Sequence, residues 1–484
     1  MKKIFFLFAV MLCSIQNNVA QTSNLDKVAT FSFKNVKAIY QNDQVVGYYF
    51  MCTLDKSDGI YGLYVYDTEF KQTHYKEVTK SKSIVLEDAK FNGSHFCFQF
   101  FNDKEFKYDF SIFDGALNET GSFAVAIPKD MAEAMKDAAS SGYGNMFTQT
   151  HTLISIPETG FAVHGADFKT QKFEIKAYSN SGSALWTGTS GNGDSKSYEM
   201  LTPISNDKNG IAFEAHFSKN VRKMYDGEAF LVFFNGKTGN QTKVPLPKFK
   251  NIVTINDISE EKTSYIIGGE YYEESTKQTG ICVIEISKEG SPKSEVYISL
   301  KQDAAKVMSD PAKLKMLEDK SVLIRKVFLM GGKTIVIGEA YDKKNIYDML
   351  IFEIQNGALT KIYSLDKKKT SIASYINMVN SQAAVGMILK MGIFNQDDYC
   401  YTTFNSDKTS FTTLYCNYEK DSESGDYIIG AATYKNGQVT NDQVKLSTKP
   451  TQFTVLPAKP GYVAVFEYYK KGKKIVMRME KLNT

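Results

Sequence analysis

Four glutamates recur near the ends of similar apolar segments, at Glu214, Glu270, Glu339 and Glu467. Two carboxylates held roughly 5 to 10 Å apart can hydrolyse a glycosidic bond, one as the acid and the other as base or nucleophile. The sequence gives no distance between these carboxylates. An acid at a strand end is also the usual form of a solvated terminus, and we favour that interpretation over a catalytic pair.

Tyrosine and lysine cluster where the same segments pass into loops. Aromatic rings flanked by amino groups suit the recognition of a sugar, a peptide or a strand edge. The candidate binding residues are Tyr271, Tyr272, Tyr341, Lys343, Lys344, Tyr468, Tyr469 and Lys470. The competing interpretation is that these side chains only cover the exposed ends of strands.

Other catalytic signatures are absent from the sequence, which has no GxSxG, HExxH, Walker or GxGxxG motif. The five histidines are His74, His95, His151, His164 and His216. Three of them fall in related segments but at different offsets, so they do not repeat as a set of ligands. We predict no metal site and no cofactor, and expect partly exposed strand histidines.

Cysteines divide into two groups after an N-terminal Cys13. Cys52, Cys97 and Cys282 lie in apolar runs and are expected to be small buried hydrophobes. Cys400 and Cys416 flank a predicted hairpin, and a five-residue loop over 406–410 would place them opposite each other as a candidate disulfide. A four-residue loop would point the two sulfur atoms apart.

A repeated unit positions all of these residues. From Ile335 to Leu365 the chain has three short apolar runs, separated by a charged loop and an Asn356-Gly357 turn, which predict an antiparallel meander. A similar unit runs from Tyr265 to Leu300, with Gly268 aligned to Gly338 and Tyr271 to Tyr341. Self-similarity of this kind fixes architecture before chemistry is considered.

Eight segments align as the second strand of such a unit. They begin at Val46, His95, Phe161, Ile211, Tyr265, Ile335, Ala383 and Val463. Several third strands are apolar on both faces, which requires a sheet covered above and below, as in the stacked blades of a propeller. In the seventh unit, Tyr427–Tyr434 and 438–446 match third and fourth strands, so we interpret the hairpin from Tyr399 to Asn417 as an insertion.

The predicted fold is all-β: a single β-propeller of seven or eight blades, with eight preferred, built from four-stranded antiparallel blades. The last unit has only three strands, so an N-terminal strand, Val28 to Phe33, is expected to close the last blade. Two short helical insertions are predicted at about 128–142 and 301–320, from their content of good helix formers. Their face of the propeller is the favoured working surface. Two separate β domains, divided near Asn145 or Lys320, are the alternative.

The N-terminus has the order of a secretory signal peptide: Lys2 and Lys3, an apolar stretch from Ile4 to Ile15, then small and polar residues up to Ala20. We expect residues 1–20 to be removed, leaving the propeller domain over 21–484. About twelve apolar residues are too few to span a bilayer. The processed chain would carry 56 basic and 54 acidic residues, a balance that argues against nucleic-acid binding.

The leader, the repeats and the closing segment PAKPGYVAVFEYYKKGKKIVMRMEKLN resemble secreted, propeller-like proteins of unknown function from Gram-negative bacteria. The resemblance covers nearly the whole processed chain and implies no activity. A single tryptophan, Trp186, excludes WD repeats and sialidase Asp boxes. We predict an exported, non-enzymatic scaffold, periplasmic or extracellular, that binds a protein or glycan. The alternative is a glycan-processing enzyme with carboxylates in a central pocket.

Overall fold

The computed structural model describes most of the chain after residue 21. The described residues are 22–32, 35–41, 44–82, 84–102, 104–127, 133, 151–167, 172–189, 197–207, 210–219, 227–246, 252–273, 278–318, 320–372, 398–405, 407–418, 427–446 and 450–482. The predicted signal peptide, the Ala383 segment and nearly all of 128–142 lie outside them.

Eight antiparallel sheets, each with four consecutively hydrogen-bonded strands, make up the fold. Blades 1 to 4 contain β2 (Lys37–Gln41), β3 (Gln44–Asp55), β4 (Ile60–Asp67) and β5 (Gln72–Thr79); β6 (Ile84–Phe91), β7 (Phe96–Asn102), β8 (Lys107–Phe113) and β9 (Glu119–Ala126); β10 (His151–Ile156), β11 (Gly160–Asp167), β12 (Lys172–Ser179) and β13 (Ala184–Thr189); and β14 (Tyr198–Asp207), β15 (Gly210–Ser218), β16 (Glu228–Asn235) and β17 (Gln241–Pro245).

The remaining four sheets continue the same pattern. They contain β18 (Ile252–Glu260), β19 (Ser264–Glu273), β20 (Gln278–Ser287) and β21 (Pro292–Ser299); β22 (Ser321–Met330), β23 (Lys333–Tyr341), β24 (Asn345–Gln355) and β25 (Ala358–Leu365), with β26 (Thr370–Ser371) added beside β24; β27 (Tyr399–Phe404), β28 (Ser410–Tyr418), β29 (Tyr427–Lys435) and β30 (Gln438–Lys445); and β31 (Gln452–Pro457), β32 (Tyr462–Tyr469), β33 (Lys474–Lys481) and β1 (Thr22–Leu25). The fold class is an eight-bladed β-propeller, as predicted.

The chain forms two compact units. The first, 1–56, 60–78 and 450–484, contains blades 1 and 8. Its core is aromatic, and the fully buried Phe50 ring stacks on Tyr66 at 5.7 Å and meets Phe466 edge-on at 6.3 Å. Burial of each such ring stabilises the fold by about 1.5–3 kcal/mol, so the packed faces hold these two blades together.

The second unit, 57–59 and 79–449, contains blades 2 to 7. Each blade shares an apolar cluster with the next along the chain, as Ile266 and Val283 of blade 5 pack with Val336 and Leu350 of blade 6. Central strands are buried on both faces, and in β24 the run Asp348–Ile354 is buried throughout. This explains why the third strands are apolar without alternation.

An N-terminal strand does complete blade 8, but it is Thr22–Leu25 rather than Val28–Phe33. Thr22 lies opposite Arg478 and Leu25 opposite Ile475. The outer strand of a blade needs only one covered face. In β1 the residues alternate between exposed and half-buried, so one face of the strand is covered and the other faces solvent. Val28 and Phe31 are instead buried in the core of the first unit, because their apolar side chains gain more there than on an edge.

Tight turns join the third and fourth strands where the sequence predicted them. Asn356 and Gly357 both have positive φ, of 51° and 75°, and Asn436 and Gly437 repeat this with 52° and 74°. Two consecutive positive φ angles define the type I′ turn, which matches the twist of the strands it joins.

Blade 7 corrects the interpretation of the Tyr399–Asn417 hairpin as an insertion. β27 and β28 are the first two strands of this blade, followed by β29 and β30. The third and fourth strands lie in 427–446, as the sequence predicts. The second strand is β28 rather than the segment at Ala383, and the hairpin is therefore part of the blade.

Within 301–320 the structure has α1 (Ala304–Val307) and α2 (Pro311–Glu318), at the predicted insertion. Both lie between blades 5 and 6 in the chain, and Ala304 and Leu317 pack into the apolar cluster of these blades. Among the described residues, no helix has the length and apolar character needed to cross a bilayer.

Candidate functional site

Blade 2 has a β-bulge in its first strand, at Glu87, and each of the four consecutive blades 4 to 7 has one in its first strand as well. In these four blades the extra residues are Ile204 in blade 4, Asn256 in blade 5, Arg325 in blade 6 and Cys400 in blade 7. A bulge re-aims its side chain relative to the regular pleat. The residues placed beside these bulges are found by following the register onto the second strand.

In each of blades 4 to 7, the residue just before the bulge pairs with a residue of the second strand. The next residue along that second strand is its successor, and it lies beside the bulge. Those successors are Glu214, Glu270, Glu339 and Cys416. The register therefore makes Gly269, rather than Gly268, the equivalent of Gly338. It also makes Tyr272, rather than Tyr271, the positional equivalent of Tyr341.

Arg325 and Glu339 form a buried ion pair in blade 6, with Arg325 Nε donating to Glu339 Oε2 at 2.6 Å. The other carboxylate oxygen, Oε1, accepts the backbone N–H groups of Asp398 and Tyr399 of blade 7, each at 3.1 Å. Glu339 is 0% exposed. The carboxylate thus joins the start of one blade to the middle of the preceding one.

Glu270 occupies the corresponding position in blade 5 and receives a hydrogen bond from the Tyr341 hydroxyl at 2.9 Å. Burial raises the pKa of Glu270 to about 8, although the bond from Tyr341 acts in the opposite direction. Burial also raises the pKa of Tyr341 well above its ordinary value, so this phenol remains a donor. At neutral pH Glu270 is predominantly protonated, which is unusual for a carboxyl group.

Asp398 lies next to this pair, at the start of blade 7. Its carboxylate bonds to Lys367 and accepts the Thr370 hydroxyl at 2.7 Å. Burial raises the pKa of Asp398, the Lys367 ammonium lowers it, and the Glu339 charge raises it again. We call Glu270, Arg325, Glu339, Tyr341 and Asp398 the polar seam.

The other two predicted glutamates are also internal. Glu214 Oε1 lies 2.5 Å from His216 Nε2 in the same strand, with both side chains 3% exposed. In the first unit, Glu467 pairs with Arg478 at 3.3 Å and accepts the Tyr469 hydroxyl at 3.1 Å. The expectation of solvated strand ends is therefore wrong for all four glutamates, since each is buried.

Three of the histidines are buried rather than partly exposed: His151, His164 and His216. Burial lowers the pKa of His151 to about 4 and that of His164 to about 3, so both imidazoles are neutral at physiological pH. His164 stacks on Phe173 at 5.0 Å, as an aromatic core residue would. Within the described part of the chain, no cluster of three or more acids, histidines and cysteines forms a metal site.

Three of the eight predicted tyrosine and lysine candidates are internal. Tyr271, Tyr341 and Tyr468 are buried, and the Tyr468 hydroxyl donates to the Ala29 carbonyl at 2.9 Å. Tyr469 is half-buried, while the Tyr272 side chain lies outside the described set. The fully exposed candidates are Lys343, Lys344 and Lys470, at the turns after β23 and β32. The rings of Tyr271, Tyr341 and Tyr468 were expected at the surface, but they are buried.

Cys400 and Cys416 do approach each other, although by a different route from the one predicted. Phe404, rather than Asn405, pairs with Phe411, and the bulge at Cys400 then restores the alignment of the two cysteines. Their sulfur atoms lie 3.7 Å apart, and both residues are thiols.

A cleft between blades 4 and 5 was not anticipated from the sequence. It has a volume of about 350 Å³, and its lining includes Phe233, Asn240, Thr242, Glu260 and Tyr265. Phe233 stacks on Tyr265 at 5.5 Å, and Lys288 lies 4.0 Å from the Tyr265 ring while pairing with Glu260 at 2.6 Å. The cleft is formed by the turns that join first to second and third to fourth strands, so only the assembled blades reveal it.

Sequence comparison identifies the family. A model for the family of unknown function DUF6770 matches residues 1–351 and 343–483. The chain belongs to this family. No curated protein has a significantly similar sequence.

Solved structures that are similar to this chain include two peptidases and one β-propeller domain. One is reported in a study of two prolyl endopeptidases (9% identity, TM-score 0.41, covering 90% of this chain and 53% of that chain). Others are a post-proline cleaving enzyme from Rickettsia typhi (8%, TM-score 0.40, 90% and 57%) and the β-propeller domain of the Trilobed protease from Pyrococcus furiosus (9%, TM-score 0.33, 84% and 97%). The chain spans about half the length of the first peptidase, and at these identities the similarity concerns the fold alone.

Proposed function

We propose that this DUF6770 protein is an exported, non-enzymatic propeller that binds a glycan in the cleft between blades 4 and 5. The observation that carries the proposal is the composition of that cleft. Apolar rings from Phe233 and Tyr265 lie beside the carboxylate, hydroxyl and amide groups of Glu260, Thr242 and Asn240. Sugars present apolar C–H faces edged by hydroxyl groups, which this combination of apolar and polar groups complements.

The size and electrostatics of the cleft fit a short glycan. Its volume of about 350 Å³ is at the lower end of the range for small-molecule sites, roughly 300–1,000 Å³. Glu260 accepts hydrogen bonds and Lys288 donates them, and both side chains are partly exposed, at 50% and 28%. Hydroxyl groups can satisfy donors and acceptors together, whereas a purely anionic ligand would be repelled by Glu260.

A glycan array with the processed protein, followed by titration with the best ligand, tests this proposal. Glu260→Gln and Asn240→Ala each remove one polar contact and should weaken binding on the order of tenfold, as expected for one hydrogen bond to a charged or amide group. Glu295→Gln is the matched control, because it makes the same charge change on β21 of blade 5. Binding that is unaffected by both cleft substitutions would refute this site.

A protein ligand is the second outcome that the scaffold proposal accommodates. A pull-down against envelope extract, with the same variants, separates the two classes of partner. If proteins are captured with equal efficiency by wild type and both cleft variants, the partner binds elsewhere, for example at the exposed Lys343 and Lys344.

Glycan processing by the polar seam is the alternative function. One observation favours it: Glu270 and Asp398 have raised pKa values and lie in adjoining parts of the same network. Against it, each carboxyl group is buried and bonded to side chains of this chain, namely Tyr341, Lys367 and Thr370. Turnover of an array-positive glycan that is lost in Glu270→Gln but retained in Glu260→Gln would establish the enzyme instead.

A further inference from the structure

Cys400 and Cys416 form a side-chain cluster that neither glycan binding nor the polar seam uses. Cys400 is the bulge residue of β27, and Cys416 is in β28, where it pairs with Ile429 of β29. Both side chains are partly accessible to solvent. The other three cysteines of the described chain, Cys52, Cys97 and Cys282, are at most 1% exposed.

The same two positions carry polar pairs in the two preceding blades. Blade 6 has the ion pair of Arg325 with Glu339 at 2.6 Å, and blade 5 has Asn256 beside Glu270. In blade 6 this pair fastens the bulge of the first strand to the second strand. Blade 7 has two thiols in its place, with their sulfur atoms 3.7 Å apart.

We propose that Cys400 and Cys416 are a reversible thiol–disulfide modification site that covalently fastens this bulge in blade 7. The co-reactant is a small-molecule disulfide, RSSR. One cysteine thiolate attacks RSSR and releases RSH, and the second thiolate displaces the other RS group from the mixed disulfide. The two protein thiols lose two electrons and two protons, and RSSR becomes two RSH.

Local geometry supports closure without rearrangement of the blade. The sulfur atoms need to approach by about 1.7 Å to reach the S–S bond length, which side-chain rotation can supply. The backbone on both sides is already held, because the Cys416 N–H donates to the Asp398 carbonyl at 2.6 Å. Lys368 N–H also donates to the side chain of Asn417 at 2.9 Å, which fixes the end of β28.

The experiment uses the processed protein in oxidised and reduced glutathione. After oxidation, we expect the protein to lose the mass of two hydrogen atoms, and both cysteines to resist alkylation under native conditions. Trypsin cleaves after Lys408, so a linked pair of peptides that reductant separates would identify the bond. A persistent adduct of one glutathione, or two alkylatable thiols after equilibration with excess oxidised glutathione, would overturn the proposal.

Three variants complete the test. Cys400→Ser and Cys416→Ser should each leave a single thiol that ends as a mixed disulfide with glutathione, whereas Cys282→Ser should form the bond as wild type does. In wild type, oxidation should raise the ratio of folded to unfolded protein, by up to on the order of a hundredfold for a loop of this length. A bond that forms equally in Cys400→Ser would assign the chemistry to another cysteine. The mass measurement on wild type remains decisive if a serine variant fails to fold.

Discussion

At the scale of single residues, the buried glutamates form ion pairs and hydrogen bonds within blades and between them. Glu339 accepts a hydrogen bond from Arg325 Nε in its own blade and from two backbone N–H groups at the start of blade 7. Removal of one partner from a buried ion pair leaves an uncompensated charge, at a cost of about 3–5 kcal/mol. Glu339 therefore has a structural role, whether or not any substrate binds nearby.

Glu270 makes stability depend on pH in a direction opposite to most carboxylates. The folded state keeps the Glu270 proton up to about pH 8, whereas the unfolded chain releases it near the ordinary glutamate pKa of 4.5. Between these values the folded state binds more protons, so stability falls as pH rises, by up to about 1.4 kcal/mol per pH unit. Glu270→Gln keeps the shape and an acceptor for Tyr341, and should remove this slope.

Urea unfolding at pH 6, 7 and 8 measures the effect. We expect the variant to become more stable than wild type as pH increases, with the difference approaching a constant above pH 8. Glu295→Gln, an exposed change of the same kind, should follow the wild-type curve. Parallel curves for wild type and Glu270→Gln would show that Glu270 is ionised in the folded protein at neutral pH.

At the scale of elements, the strands were predictable because their apolar patterns and turn residues repeat. The Asn356-Gly357 turn lies where the sequence predicted it. The bulges were not predictable, because the first strands at Asn256 and Arg325 lack a shared sequence pattern. The bulges set the strand register that places Glu270 and Glu339 inside the fold. Because the bulges are not visible in the sequence, this register could not be predicted from it.

The apolar residues of Val28–Phe33 predict a closing strand, but hydrophobicity does not mark the strand that closes this blade. The closing strand is β1, a short and mostly polar edge strand. If β1 is removed, β33 loses its outer neighbour. We expect a chain that begins at Asp26 to be less stable than one that begins at Thr22, by a few kcal/mol from four lost strand pairings. It should also aggregate more readily, because the edge of β33 becomes exposed.

The measurement is the urea midpoint of the two truncated chains, with light scattering to follow association. A chain that starts at Gln21 serves as the control for truncation itself. Equal midpoints for the chains starting at Thr22 and Asp26 would mean that β1 contributes nothing to blade 8.

At the scale of the whole molecule, repetition predicted seven or eight blades with eight preferred, whereas the contacts that build the candidate sites were not predicted. Tyr341 and Glu270 are 71 residues apart in the chain, and Phe233 and Tyr265 line one cleft from different blades. Sequence patterns report the environment of one strand at a time. Contacts between blades depend on which side chains meet across a packed face, and such contacts bury Tyr271, Tyr341 and Tyr468, which were predicted to be exposed.

Export is the final prediction, and it is linked to folding through β1. The expected cleavage after Ala20 leaves Gln21 as the first residue, directly before Thr22, which pairs with Arg478. An uncleaved leader would hold β1 at the bilayer surface and interfere with this pairing. Expression of the full chain in a Gram-negative host should therefore yield periplasmic protein with the mass of residues 21–484. Ala20→Leu should block processing and make residues of blade 8 more sensitive to protease than in wild type. Cytosolic protein that retains Met1 and resists protease equally would refute both the export signal and its coupling to blade 8.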